Sequence, residues 1–236
     1  MKILINHLTR MHGGHICVAG VDPDTRRHVR PVLADGKLPF YLLARYGGPF
    51  EMGHVVELGR PRPRPGRPHV EDHVFVPSQA KFERAAEVHE FWNLLCCEQK
   101  TSLVEIFGLA LGPLGRMRYG TPDGRGDASL GLLRPAQPPQ LYVTEGHGKR
   151  QVRVKLTDGR VRADAGVTDL RLCAADHATP DETLVRGVAK WLVDSRGVIL
   201  AVGLTRRFRP TDRQDFVHYL QVNNLHLVED PLWKLG

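Results

Sequence analysis

Three apolar runs in this chain end in Arg-Pro: residues 16–31 (ICVAGVDPDTRRHVRP), 129–135 (SLGLLRP) and 198–210 (VILAVGLTRRFRP). Each run delivers a guanidinium to the end of an expected strand, where proline, lacking an N–H, stops the ladder. Arginine at a sheet rim offers a planar, permanently charged fork of donors, which suits an anionic or planar ligand. A compact cassette follows the third run, residues 218–228 (HYLQVNNLHLV). Alternation sets Tyr219, Gln221 and Asn223 on one face and His218, Leu220 and Val222 on the other. With Leu220 and Val222 in the core, the first face presents a ring and two amides, groups that stack a base and read its edge. Asn223-Asn224 also reads as a plain turn between two strands, because Asn tolerates positive φ. Residues 205–210 (TRRFRP) form the densest cationic group with an embedded aromatic. Phosphate contact is one role for its arginines, and an exposed basic turn is the other.

Catalytic arrangements are harder to find. There is no G-x-S-x-G, no H-E-x-x-H and no cysteine with a local activating signature. Asp164, Asp169 and Asp176 are spaced as turn residues rather than as an acid/base pair. His7, His12, His15 and His218 are the acid/base candidates if a catalytic set is scattered along the chain, since His titrates near neutral pH. Cys17, Cys96, Cys97 and Cys173 contain no C-x-x-C pair, and the adjacent Cys96 and Cys97 cannot share a standard zinc site. Reduced, mostly buried thiols are expected. His12 and His15 form the best local metal pair, but no carboxylate or thiolate stands at ligand spacing, so neither metal nor cofactor is expected. Residues 112–126 (GPLGRMRYGTPDGRG) lack the Gly-Lys-Ser/Thr ending of a phosphate loop.

The elements that must position these groups read as β. At 236 residues, 42% hydrophobic and 25% charged, the chain is an ordinary globular sequence long enough for one large β domain or two small ones. Strands are expected at 2–4, 16–21, 28–33, 53–58 and 70–76, then at 130–133, 141–144, 149–156, 161–163, 167–172, 198–204, 219–222 and 225–228. In 70–76, Val70, Asp72, Val74 and Val76 share one face. Apolar residues recur at helical spacing over 79–98, with Ser78 as N-cap, and a second helix is expected from 179 through Trp191. Two runs of strands, each with one helix, predict a mainly β protein of two OB-like antiparallel barrels with one or two short inserted helices. Residues 1–127, with helix 79–98, form the first barrel and 128–236 the second, the seam falling near Asp127. Residues 60–68 (RPRPRPGRP) read as an extended, polyproline-like surface segment.

Net charge is +7 and the pI about 9.5, with Arg outnumbering Lys roughly threefold. This admits a polyanionic partner. A general elevation of Arg, Ala, Gly and Pro gives the same excess, so charge alone assigns none. No apolar run approaches the roughly 18 residues of a membrane span, so a soluble, cytoplasmic protein without a membrane partner is expected.

At several of these residues the chain resembles the dual OB-containing domain family, a bacterial group. The matching features are Thr9-Arg10-Met11 and the strand from Ile16 to Asp22, Arg30-Pro31-Val32, Ser129-Leu130-Gly131 with Arg134-Pro135, and residues 204–209 and 218–224. The resemblance runs over nearly the whole chain and names no reaction. It implies two OB-like barrels and a nucleic-acid or nucleotide-linked role, and it carries no catalytic residue across. The tracts 60–68 and 112–126 lie outside it.

These observations point to a non-enzymatic protein that binds nucleic acid, single-stranded in preference, because OB barrels combine backbone-tracking cations with stacking rings. Arg10, Arg30, Arg134, Arg206, Arg207 and Arg209 are the phosphate candidates, Tyr219 the stacking ring, and Gln221 and Asn223 the base readers. Arg30, Arg134 and Arg209 are expected around one cleft. A sensor holding a small nucleotide-like ligand between the barrels is the first rival, and an enzyme with scattered histidines the second. An aromatic content of 7% counts mildly against a long stacking groove.

Overall fold

A computed structural model describes residues 1–11, 13–34, 36–146, 148–211 and 214–233. His12 lies outside them. The protein is mainly β, 45% strand against 18% helix, in two curled sheets. The first sheet contains β1 (Lys2–Met11), β2 (His15–Val21), β3 (His28–Val32), β4 (Leu38–Pro39), β5 (His54–Glu57), β6 (Arg62–Pro63), β7 (Asp72–Val74) and β8 (Lys81–Ala85), in the order β6-β7-β3-β2-β1-β5-β8 with β4 on β2. The second contains β9 (Gln99–Lys100), β10 (Gly112–Gly115), β11 (Arg118–Pro122), β12 (Leu130–Leu133), β13 (Gln140–Gly146), β14 (Lys149–Thr157), β15 (Arg162–Val167), β16 (Val198–Leu204) and β17 (Val217–Leu227). Its order is β13-β14-β15-β17-β16-β12-β9, with β11 pairing both β10 and β17. Pairing is mostly antiparallel; short parallel pairings join β3 to β7, β15 to β17 and β9 to β12.

The helix expected over 79–98 is shorter. Pro77–Gln79 is a 3-10 turn that contains Ser78, residues Lys81–Ala85 form the edge strand β8 on β5, and α1 (Val88–Glu98) starts only after Glu87. Glu87 and Glu90 make a reciprocal capping box there. Phe82 matches the helical period by coincidence: its ring lies 4.4 Å from that of His54 across the β5–β8 pair. Two more helices follow, α2 (Leu103–Phe107) and α3 (Glu182–Asp194), of which α3 is longer than α1. None is long and apolar enough to cross a membrane, among the described residues. The chain passes between sheets from β8 to β9, ahead of Asp127, so β9, β10 and β11 belong with the second sheet.

Two cores lie against one another. Ile3, Ile5, Leu8, Phe50 and Phe91 centre the first, which also takes in Leu132, Ile199 and Ala201 from the second sheet. Leu103, Val154, Val188, Val222 and Leu225 centre the other. β1 is buried on both faces, as in a strand covered from two sides. Each lobe carries one bulge at the contact between them. The extra residue is Asn6 in β1 and Asn223 in β17. A bulge re-aims the side chains that follow it, and here both bulges turn amides and imidazoles into the junction.

Candidate functional site

The junction is a zipper of polar groups. Asn224 replaces a strand partner: its Oδ1 accepts from the Leu8 N–H (2.8 Å) and its Nδ2 donates to the Leu8 carbonyl (3.0 Å). Val217–Leu227 is one bulged strand, and Asn223-Asn224 is not a turn between two. Further along, the Arg10 N–H donates to the Thr168 carbonyl at 3.0 Å. Asp169 holds Arg171 with both oxygens (2.9 and 2.7 Å), and the guanidinium lies 3.8 Å from the Trp233 ring centre. His226 sits between the carbonyls of Pro231 (3.1 Å) and Asn6 (3.2 Å). Burial, then the nearby Arg171, pushes its imidazole down to about 4, so it is neutral.

Beside this zipper opens a cleft of about 530 Å³ whose lining includes Arg10, Arg30, Arg206, Arg207, Phe208, Tyr219, Gln221 and Asn223. At its base, Asp72 of the first sheet is clasped from both lobes. Arg30 Nε donates to Asp72 Oδ1 at 2.6 Å, while Arg206 Nη1 and Nη2 donate to Oδ2 and Oδ1 at 2.6 and 3.2 Å. Two guanidiniums share one carboxylate, so the group keeps one positive charge, and the Arg206 side chain is 40% exposed. Arg30 Nη2 also donates to His69 Nδ1 at 2.8 Å. Burial and then the charges of Arg30 and Arg206 drive His69 down to about 2, and it stays neutral as the acceptor. A second clamp joins the lobes alongside: Glu71 accepts from the Ser129 N–H (2.7 Å), the Ser129 hydroxyl (2.8 Å) and the Leu130 N–H (3.1 Å).

The other candidates are distributed unevenly. Arg10 is half-buried at the cleft, with no ion pair among the described residues. Arg207 is 3.4 Å from Asp123 and its guanidinium stacks 3.9 Å from the Phe216 ring centre; Arg209 lies 5.5 Å from the same ring, outside the cleft lining. Tyr219 stands 6.3 Å from the Phe208 ring, tilted at 48°. Gln221 Nε2 donates to Asn223 Oδ1 (2.8 Å), and Asn223 Nδ2 donates to His7 Nδ1 (3.0 Å). Burial holds His7 well below its ordinary range, with smaller contributions from His28, His226 and Arg30.

Three expectations are corrected. Asn223, only 3% exposed, does not face outward, because the bulge turns it into the junction, where its amide bonds Gln221 and His7. Gly203 makes room for it, since a Cβ there would come within 2.7 Å of Asn223 Nδ2. Arg30, 3% exposed, is an internal cation inside β3 rather than a rim group, and Pro31 pairs on within the same strand. Arg134 follows the end of β12 opposite to Leu130 and lines a separate recess with Trp92 and Cys96, so Arg30, Arg134 and Arg209 do not surround one cleft. Of the three Arg-Pro pairs only Arg30-Pro31 lies within a strand; Arg134 follows the end of β12 and Arg209 lies between β16 and β17.

Asp72 and Glu71 were not singled out by sequence as site residues. No local signal marked them: Val70 and Val76, expected on the face of Asp72, are exposed, and the partners of Asp72 are distant in sequence. His7 and His218 are buried and engaged, His218 with the Thr205 carbonyl (2.8 Å) and Asp123 (3.1 Å). Neither they nor His15 line the cleft. No group of three His, Cys, Asp or Glu side chains is placed to hold a metal, among the described residues.

A search of curated proteins finds no significant match to the chain. The family model of the Dual OB-containing domain matches residues 1–225, in keeping with two curled sheets over adjoining cores, and the chain belongs to that family.

Proposed function

We propose that the protein binds single-stranded nucleic acid in the cleft between its two lobes, without catalysis. The observation that carries this reading is the convergence in one cleft of a cation without an ion pair among the described residues (Arg10), a net positive clasp (Arg206 on Asp72), two rings (Phe208, Tyr219) and an amide anchored from behind (Gln221). Cations track the phosphates, a ring takes a base on its face, and the amide meets a base edge. Four free cysteines accord with a reducing, cytoplasmic setting. Anisotropy of a labelled oligonucleotide over a salt series tests the reading. Affinity falls with salt at a log–log slope of about −0.7 per phosphate contacted. Absence of binding to DNA and RNA at low salt would refute it.

The compactness of the cleft favours one alternative, a small nucleotide-like ligand held as a signal. Free mononucleotide then competes as well as an oligonucleotide, with weak salt dependence.

A further inference from the structure

Tyr219, Gln221 and Thr205 also line a second recess, of about 230 Å³, which adjoins the cleft at these residues. Three features make it more than an irregularity. Two rings line it, Tyr219 of β17 and Tyr119 of the neighbouring β11, while at Gly120, opposite Tyr219, the Leu114 side chain fills the place a side chain would take. Arg118, on the same strand, makes no ion pair among the described residues. A Cβ added at Gly166 would meet nothing within 4 Å, which leaves this wall open. The recess thus shares Tyr219 with the cleft and adds the ring of Tyr119 and a second cation.

It adds a fixed acceptor. Asp164 lies on β15, not in the turn its spacing suggested, and its side chain is 22% exposed. Oδ1 accepts from Arg153 Nε at 2.9 Å, Oδ2 accepts from the Tyr142 hydroxyl at 2.7 Å, and Arg153 Nη2 donates to the Asp164 carbonyl at 2.7 Å. The carboxylate is therefore held in one orientation, with lone pairs left on both oxygens.

We propose that this recess is a second nucleotide subsite in which Asp164 reads guanine, an inference that rests on the nucleic-acid reading of the cleft. Guanine alone presents two adjacent donors on its Watson–Crick edge, N1–H and the N2 amino group. Adenine and cytosine set one amino donor beside an acceptor, and thymine or uracil sets its N–H between two carbonyls. A carboxylate only accepts, so each of those acceptors meets a lone pair. Arg118 takes the phosphate that joins this nucleotide to the one in the cleft.

The test is displacement of a labelled mixed-sequence oligonucleotide from the full chain by the unlabelled dinucleotides TpG, GpT, TpA, TpC and TpT and by the mononucleotides. One guanine dinucleotide is expected to compete about tenfold better than TpT, in the range of bidentate base discrimination. Asp164→Asn should abolish that preference, chiefly by raising TpT towards the guanine dinucleotide, because the amide offers a donor where the carboxylate met the carbonyls of thymine with lone pairs. Arg118→Gln, which breaks no ion pair among the described residues, should reduce every dinucleotide towards the mononucleotide level and keeps the test alive if the Asp164 variant fails to fold. Dinucleotides that compete equally, or no better than mononucleotides, while the labelled oligonucleotide still binds, would overturn the subsite and leave the cleft reading standing. Failure of the labelled oligonucleotide to bind at all would overturn both.

Discussion

Asp72 on β7 of the first sheet binds Arg206, two residues past the end of β16 of the second, through both carboxylate oxygens, at 2.6 and 3.2 Å. The same carboxylate compensates the buried Arg30. One side chain thus joins the lobes and supports the wall of the cleft. Asp72→Ala leaves Arg30 buried without its counter-charge, and removal of one partner of such a pair costs about 3–5 kcal/mol. Urea denaturation should show a loss of that size. Asp72→Ala with Arg30→Met should recover much of it, because the only charge then left without its carboxylate is the solvent-exposed Arg206.

Asn224 carries the opposite kind of contact, neutral and strand-like. Asn224→Ala orphans the N–H and C=O of Leu8 at a buried site, and each unmet group costs about 1–3 kcal/mol. The variant should unfold about 2–4 kcal/mol more easily. A cost below about 0.5 kcal/mol in the same urea titration would mean that the junction relaxes without penalty.

His226 makes stability depend on acid. It is fully buried, and its folded value of about 4 lies below the ordinary 6.5. Below pH 6.5 the unfolded chain binds a proton that the folded chain does not. Stability is therefore complete above pH 6.5, falls by about 1.4 kcal/mol per pH unit on acidification, and levels off near pH 4. About 2 kcal/mol from this group is gone at pH 5. Thermal melts of wild type and His226→Gln between pH 7 and 5 should differ in slope. Parallel curves would contradict the assignment.

Arginines that look alike in sequence should behave differently in binding. Arg10→Gln should weaken oligonucleotide affinity and flatten the salt slope by about 0.7. Arg134→Gln, in its separate recess, should change neither. Equal effects in anisotropy titrations would show that bulk charge rather than the cleft attracts the ligand.

Much of this was legible in the sequence, and what was not has physical causes. Alternation and turn residues expose β structure wherever one face is buried, and the cassette with Tyr219 and Gln221 stood out because ring and amide recur on one face. Asn223 was misassigned because period-two reasoning fails at a bulge, and nothing local marks one extra residue. β8 passed for helix because five exposed edge residues carry no alternation to contradict the spacing of Phe82 and Ala85. Arg30 looked like a rim cation because its partner Asp72 is 42 residues away in sequence. Long-range pairing of this kind is set by the sheet topology, which the local pattern does not encode.

The central claim is that nucleic acid occupies the cleft between the lobes. Photo-crosslinking an oligonucleotide that carries 4-thiouridine, followed by mass spectrometric mapping, tests it most directly. Crosslinks should concentrate on Phe208 and Tyr219 and disappear when unlabelled oligonucleotide is added in excess. Crosslinks confined to Trp92 and the recess beside Arg134, or to the exposed Trp191 of α3, would contradict it.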